Sequence, residues 1–288
     1  MLSQFIFSGL ALGSIYGLVA LGFTVIYKAT QVFNFAQGML MVCGAYLAVT
    51  ASIQLGLPFP ITIVFILAGA GILGIAVFFF FIKPLGGQSL LPMIMITIAL
   101  SIILRAVIEL IYGGAPFTLR LLLPNGTFAI GDVRISQLHV TAAFVSWLCM
   151  GLFTFFFQRS RAGLLMRSTA DGYEAAVLSG IRVDRINAAA WAIGTMLAAI
   201  GGVFLGQLQL VSVELENIGL LALPAVVIGG LQSIPGAILG GLLVGLIEQL
   251  ASGYISPKAR DIFIYVPLLL ILFIRPWGLF GQKELGRV

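Results

Sequence analysis

The feature that most constrains this chain is the recurrence of long, uninterrupted apolar runs along nearly its whole length. A bilayer core of roughly 30 Å is spanned by about 20 apolar residues in a helix, so each run is long enough to cross. The runs are continuous and do not alternate at period two, which argues against a β-barrel. Only 9% of the 288 residues are charged and 60% are hydrophobic; a soluble domain carries about 25% charged residues. The sequence therefore predicts an all-α fold, a polytopic transmembrane helical bundle. It forms one membrane domain over residues 1–288, with no sizeable soluble domain.

Hydrophobic elements are expected at about 5–27, 36–54, 61–82, 90–112, 138–157, 187–210 and 261–274. A broken pair is expected at 217–231 and 237–252, giving about eight spans with one pair that either crosses twice or is re-entrant. The last element is short for a bilayer. If the pair crosses twice, the N-terminus lies outside and the C-terminus inside. The inner side then holds Lys28, Lys83, the five arginines of a polar loop at about 158–186, Arg275, Lys283 and Arg287. The outer side holds only Arg120, Arg134, Lys258 and Arg260. Basic residues mark cytoplasmic loops, so this orientation is favoured. The net charge of +5 reads as loop charge and not as a nucleic-acid surface. The first 27 residues lack Lys and Arg, which predicts a retained helix instead of a cleavable signal peptide.

Several chemistries are not supported. No G-x-x-x-x-G-K-[ST] is present, so the chain has no P-loop for ATP. Cys43 and Cys149 fall inside apolar segments and read as free thiols; they suggest neither a disulfide nor a metal site. The lone His139 lies at a helix mouth and reads as an interfacial residue with a satisfied hydrogen bond. Nothing resembles a nucleophile–base pair, so an enzyme is not expected, and neither is a cofactor held by this chain.

Glycines recur four residues apart in the first element (Gly9, Gly13, Gly17), at Gly202 and Gly206, and at Gly236 and Gly240 and Gly241 and Gly245. Such stripes let helix backbones approach closely in lipid. Two interruptions stand out. One is the polar connection Lys28–Gly38, containing Asn34 and Gln37. The other runs from Pro224 to Ala237 and includes Pro235. Paired interruptions suggest a pathway lined by broken helices, the alternative being ordinary loops and a kink. Arg105 and Glu109 are i and i+4 in the fourth element and can pair. Ionisable residues inside spans are functional candidates, so these two and Glu248 join the pathway set. Residues 113–137 form the longest outer connection. A hairpin is expected there, turning at Pro124-Asn125-Gly126-Thr127.

The polar loop is rich in helix formers and is divided by Gly163, Gly172 and Gly180. It reads either as an amphipathic interfacial helix pair or as a lever for a partner. Its core, Glu174-Ala175-Ala176-x-x-x-Gly180, resembles the E-A-A-x-x-x-G pattern of ABC importer membrane subunits. The wider sequence resembles the branched-chain amino acid permeases of the LivH type. Residues carrying this are Gly163-x-x-x-Arg167, Ser179-Gly180-Ile181, Asn34-Phe35-x-x-Gly38, Pro224–Ala237 and Arg275-Pro276-x-Gly278-Leu279-Phe280-Gly281. The resemblance covers nearly the whole chain. It implies a permease subunit in a bacterial inner membrane, pairing with a second, LivM-like permease. It also implies two ATPase subunits carrying ATP and Mg, and a periplasmic binding protein. Gly163, Arg167, Glu174, Ala175, Ala176 and Gly180 would form the coupling segment. The implied substrates are branched-chain amino acids, with urea or short amides as alternatives. An ion-coupled secondary transporter, using a mid-membrane carboxylate such as Glu248, is the rival reading.

Overall fold

The computed structural model describes residues 2–119, 121, 126–130, 133–256 and 260–281. Helix α1 spans Leu2–Thr30, α2 Gln37–Val49, α3 Phe59–Val77 and α4 Leu90–Tyr112. A hairpin of β1 (Thr127–Ile130) and β2 (Val133–Ser136) precedes α5 (Gln137–Arg159). Two short helices follow, α6 (Arg161–Asp171) and α7 (Tyr173–Leu178), then α8 (Val183–Leu208). The chain ends with α9 (Leu215–Gly219), α10 (Ala222–Gly229), α11 (Ile234–Tyr254) and α12 (Arg260–Ile274). Short π and 3-10 turns carry α2 on to Gln54 and α3 to Leu85.

Seven of these helical stretches are long and apolar enough to cross a membrane, and Leu215–Gly229 and Ile262–Ile274 are shorter apolar stretches. Together they account for each apolar element expected from the sequence. The chain is a multi-pass membrane protein. In the apolar windows, 94% of α1 and 78% of α8 is buried, against 22% of α4. So α1 and α8 form the axis of the bundle, and α4 lies at its edge.

The glycine stripes explain how the axis closes. A Cβ added at Gly241 would strike the Gly17 backbone, and one at Gly245 would strike Gly13. Helix α11 therefore lies directly on α1, backbone to backbone. Lipid provides no hydrophobic force between helices, so close van der Waals approach has to hold them together. The two helices run antiparallel. Phe5 packs on Tyr254 with ring centroids 5.6 Å apart, while Lys28, at the far end of α1, reaches the Gln232 carbonyl just before α11. Lys83, after α3, pairs with Asp184 at the start of α8 at 2.7 Å. Lys28, Lys83 and the arginine-bearing α6–α7 loop thus gather at one end, which the charge asymmetry makes cytoplasmic.

The expected interruptions of the late apolar stretch are present, at 220–221 and 230–233, and each proline opens the helix that follows. Pro224 lies in the first turn of α10 and Pro235 is the second residue of α11. Proline is tolerated there because the first-turn N–H groups have no helical acceptor. Two expectations need correction. The outer hairpin exists, but Thr127 pairs with Ser136 and Ile130 with Val133, so Thr127 lies within a strand and not in the connection between the strands; Pro124 and Asn125 lie outside the described residues. His139 Nδ1 is buried without a hydrogen-bond partner among the described residues, contrary to the expected satisfied bond. Nothing in the structure explains that orphan.

Candidate functional site

The chain between α1 and α2 re-enters the bundle. Gln37 Nε2–H donates to the Val19 carbonyl at 3.3 Å and to the Gly194 carbonyl at 3.5 Å. Val19 is eleven residues before Thr30, about 16 Å along α1 at 1.5 Å per residue. Helix α2 therefore begins near mid-depth, reached by the non-helical segment 31–36. Val32, Asn34 and Ala36 in that segment are buried. Irregular backbone at such depth needs internal partners. Asn34 provides several: its Nδ2–H donates to Gln37 Oε1 at 2.9 Å and its Oδ1 accepts from the Ala36 amide at 3.2 Å. Thr97 Oγ accepts from the Phe35 amide at 3.2 Å and donates to the Phe33 carbonyl at 3.1 Å.

Helix α9 meets α2 at the same level. A Cβ on Gly38 would strike the Glu216 carbonyl, and one on Gly219 would strike Gly38. Above this crossing, towards the outer end, lies a charged cluster. Arg105 donates from Nε to Glu109 Oε1 at 3.0 Å and from Nη2 to Glu214 Oε1 at 2.7 Å. Its Nη1 lies 3.8 Å from Glu216 Oε2. Ser101 Oγ donates to Glu216 Oε1, and Asn217 Nδ2 donates to Glu214 Oε2 at 2.9 Å. One guanidinium thus faces three carboxylates. The Arg105 and Glu214 side chains stay 38% and 64% exposed, which acyl chains would not tolerate. This face of α4 and α9 belongs against water or protein. An outer cleft of about 490 Å³ adjoins it, lined by Gln209, Ser212, Glu214, Asn217 and Arg260 among others.

Glu248 stands apart from this cluster. Its Oε2 accepts from Tyr16 Oη at 2.6 Å and its Oε1 from Arg260 Nη1 at 3.2 Å. The carboxylate is buried and engaged, so Arg260 on α12 is tied to α11 and α1.

At the cytoplasmic end, α6 starts immediately after α5. Ser160 caps it, its Oγ accepting from the Gly163 amide at 2.9 Å. A Cβ at Gly163 would collide with the Phe157 and Phe156 carbonyls. Arg167 donates to the Phe157 carbonyl and lies over its ring, 5.5 Å from the centroid. Gly163 and Arg167 therefore bind α6 to the last turn of α5. Helix α7 is a single turn that stops at Gly180. The Ile181 amide donates to the Ala176 carbonyl at 3.1 Å and the Gly180 amide to Val177 at 3.0 Å. Gly180 has φ +77°. This is a Schellman stop, in which only glycine takes the left-handed position at no steric cost. Ala176 is buried and Ala175 exposed. Glu174 is the second residue of α7; its side chain lies outside the described set.

Residues 5–272 match the family described as branched-chain amino acid transport system / permease component. The chain belongs to this family. It is 32% identical to the high-affinity branched-chain amino acid transport system permease protein LivH of Escherichia coli (strain K12), over 99% of this chain and 97% of that one. The corresponding permease BraD of Pseudomonas aeruginosa is 33% identical over the same shares. Among solved structures, PsaBC from Streptococcus pneumoniae in complex with Fab aligns over 96% of this chain and 97% of that chain. Its identity is 16% and its TM-score 0.49, too low to argue from.

The late glycine-rich run and the segment after Arg275-Pro276 are one structural unit in this permease. The Leu279 and Phe280 amides donate to the Ile228 and Gly229 carbonyls at 2.9 and 3.0 Å. They satisfy the last carbonyls of α10, which a helix end otherwise leaves bare. Of the residues singled out from sequence, the fold joins Asn34 with Gln37, Arg105 with Glu109, and Gly163 with Arg167. It leaves Pro224, Pro235 and Glu248 apart from these groups. Sequence reasoning missed Thr97, Ser101, Glu214 and Glu216. Two acids within the short stretch Ser212–Asn217 were the available signal, since an arginine inside a span needs counter-charge.

Proposed function

We propose that this chain is one membrane-spanning half of an ATP-driven importer in a bacterial inner membrane, carrying branched-chain or similar hydrophobic amino acids. The observation behind this reading is the kinship, along nearly the full length, to permeases of branched-chain amino acids. A second, LivM-like permease completes the membrane unit. Two ATPase subunits hold ATP and Mg and dock on α6–α7, and a periplasmic binding protein delivers substrate to the outer face. The α6–α7 geometry suits a lever. Val177 and Leu178 are 48% and 88% exposed and offer apolar surface to a partner. Gly163 and Arg167 pass movement of α6 into α5. The broken α2 and the Arg105 cluster lie on the path such movement would open and close. Glu248 already accepts from Tyr16 and Arg260, so it is poorly placed to receive a coupling ion.

Gentle purification of the tagged chain from its native membrane, followed by mass spectrometry, tests this. A second permease and two ATPase copies are expected with it, and leucine uptake by the complex should stop when ATP is withheld. A lone chain, in a preparation that preserves other ABC complexes, would overturn the reading. So would uptake that ignores ATP and collapses with the proton gradient.

A further inference from the structure

A second cleft, of about 520 Å³, opens at the cytoplasmic end between α1, α5, α6 and α11. Lys28, Arg167, Gln158, Gln232 and Ser233 give it polar walls, and among the described residues no acidic one lines it. Lys28 Nζ and Arg167 Cζ lie 5.7 and 5.5 Å from the centroid of the same Phe157 ring. Neither cation makes an ion pair among the described residues. Their hydrogen-bond acceptors among the described residues are neutral carbonyls, Gln232 for Lys28 at 3.5 Å and Phe157 for Arg167. Two like charges over one ring repel each other, and a ring face attracts each only weakly compared with an anion. The positive end of α11, capped by Ser233, faces the same space.

We infer that this cleft binds the phosphate of an anionic phospholipid headgroup. Its depth fits: it lies where the cytoplasmic ends of α1, α5 and α11 meet, at the level of inner-leaflet headgroups. Basic pockets between span ends on that side are suited to acidic lipids. Apolar surface that an acyl chain could cover adjoins it. Gly151, one turn above Thr154 on the same face of α5, has open space around it, and Leu152, Phe155 and Leu239 nearby are exposed. An acidic ATPase side chain would more naturally meet the projecting tip at Val177 and Leu178. The cleft is set back among the spans. Because Arg167 also fastens α6 to α5, lipid held here would stiffen the joint through which coupling is transmitted.

The test uses the full-length protein in a zwitterionic detergent, with thermal unfolding as readout. Short-chain phosphatidylglycerol, phosphatidylcholine of the same chain length, and inorganic phosphate are titrated separately. A saturable rise in Tm with phosphatidylglycerol alone is expected. Lys28→Gln should weaken its apparent affinity about fivefold, as expected for one cation near the headgroup, and Lys28→Arg should restore it. Lys83→Gln, which removes a cation already paired with Asp184, should leave the affinity unchanged. If Lys28→Gln is too unstable to purify, native mass spectrometry of lipid retained by Lys28→Arg and wild type gives the second readout, and preferential retention of phosphatidylglycerol is expected. An equal response to inorganic phosphate would replace the lipid with a free anion. Equal responses to both lipids, or an unchanged affinity in Lys28→Gln, would overturn the site. So would loss of ATPase subunits from Lys28→Gln in lipid-free detergent, which would assign the cleft to a protein carboxylate.

Discussion

The break before α2 and the break before α11 both interrupt the helical ladder within a membrane protein, and they satisfy the freed backbone by different means. Segment 31–36 is fastened by side chains: Asn34 and Thr97 bond the Ala36 and Phe35 amides and the Phe33 carbonyl, and Gln37 holds the Asn34 side chain. The turn between α10 and α11 is fastened by backbone on backbone. A Cβ at Gly229 would collide with Gly236, and the reverse also holds. The Gly230 amide donates to the Val226 carbonyl at 2.8 Å and the Leu279 amide to Ile228. Side-chain bonds can be exchanged one at a time, so the first break can rearrange. A glycine-to-glycine contact has no slack, so the second is a fixed joint.

The largest effect expected from this contrast is at the fixed joint. Gly236→Val adds a branched side chain where the Gly229 carbonyl already sits. Overpacking a closed contact costs about 1–3 kcal/mol and more when only backbone can yield. The protein should insert poorly, or lose stability against a denaturant such as SDS by at least about 3 kcal/mol. A variant that accumulates and unfolds like wild type would mean that the α10–α11 contact is not a rigid joint.

Asn34→Leu should come next. It removes the acceptor of the Ala36 amide and the donor to Gln37, leaving buried groups unsatisfied at about 1–3 kcal/mol. Transport should fall more than stability, because Gln37 then loses its orientation towards Val19 and Gly194. Thr97→Val removes one further fastener, and interhelical hydrogen bonds in membranes average about 0.6 kcal/mol. The two variants should be non-additive, since both act on residues 33–37. Strict additivity in stability and uptake would show that Asn34 and Thr97 do not hold one unit.

The contrast also explains what the sequence made legible. The spans were readable because unbroken apolar length is a one-dimensional property, and the stripe Gly9-Gly13-Gly17 because helical spacing puts it on one face. The partners of those glycines on α11 are more than two hundred residues away, and no local pattern names them. The Arg105–Glu109 pair was visible at i and i+4, whereas Glu214 and Glu216 reach Arg105 only through the tertiary fold. Pro224 and Pro235 marked the interruptions because proline suits the first turn of a helix and not its interior, but no local pattern shows that α10 and α11 then close on each other at Gly229 and Gly236. The conspicuous Pro124-Asn125-Gly126-Thr127 drew the expected turn, whereas Thr127 belongs to the first strand. Helix α6–α7 was legible as helix-forming segments, but its attachment through Gly163 and Arg167 to the end of α5 was not.

Gly180 gives the smallest expected effect and separates the two reasons for using glycine. At Gly236 glycine is needed for space; at Gly180 it is needed for conformation. Its φ is +77° and a Cβ there would meet nothing within 4 Å. Gly180→Ala should therefore cost only the left-handed penalty, about 1 kcal/mol, and Gly180→Asn less, because asparagine tolerates that region. Gly180→Trp faces the same backbone penalty as alanine, since the space is open, so the two should unfold alike. They should differ in ATP-driven uptake, because tryptophan projects from the tip beside Leu178, where the ATPase is proposed to dock. Glu174→Ala, at the other end of the same turn, should also lower uptake while the protein still inserts. Equal uptake in Gly180→Ala and Gly180→Trp, with Glu174→Ala normal, would remove α7 from the coupling surface and leave Gly180 as a helix stop alone.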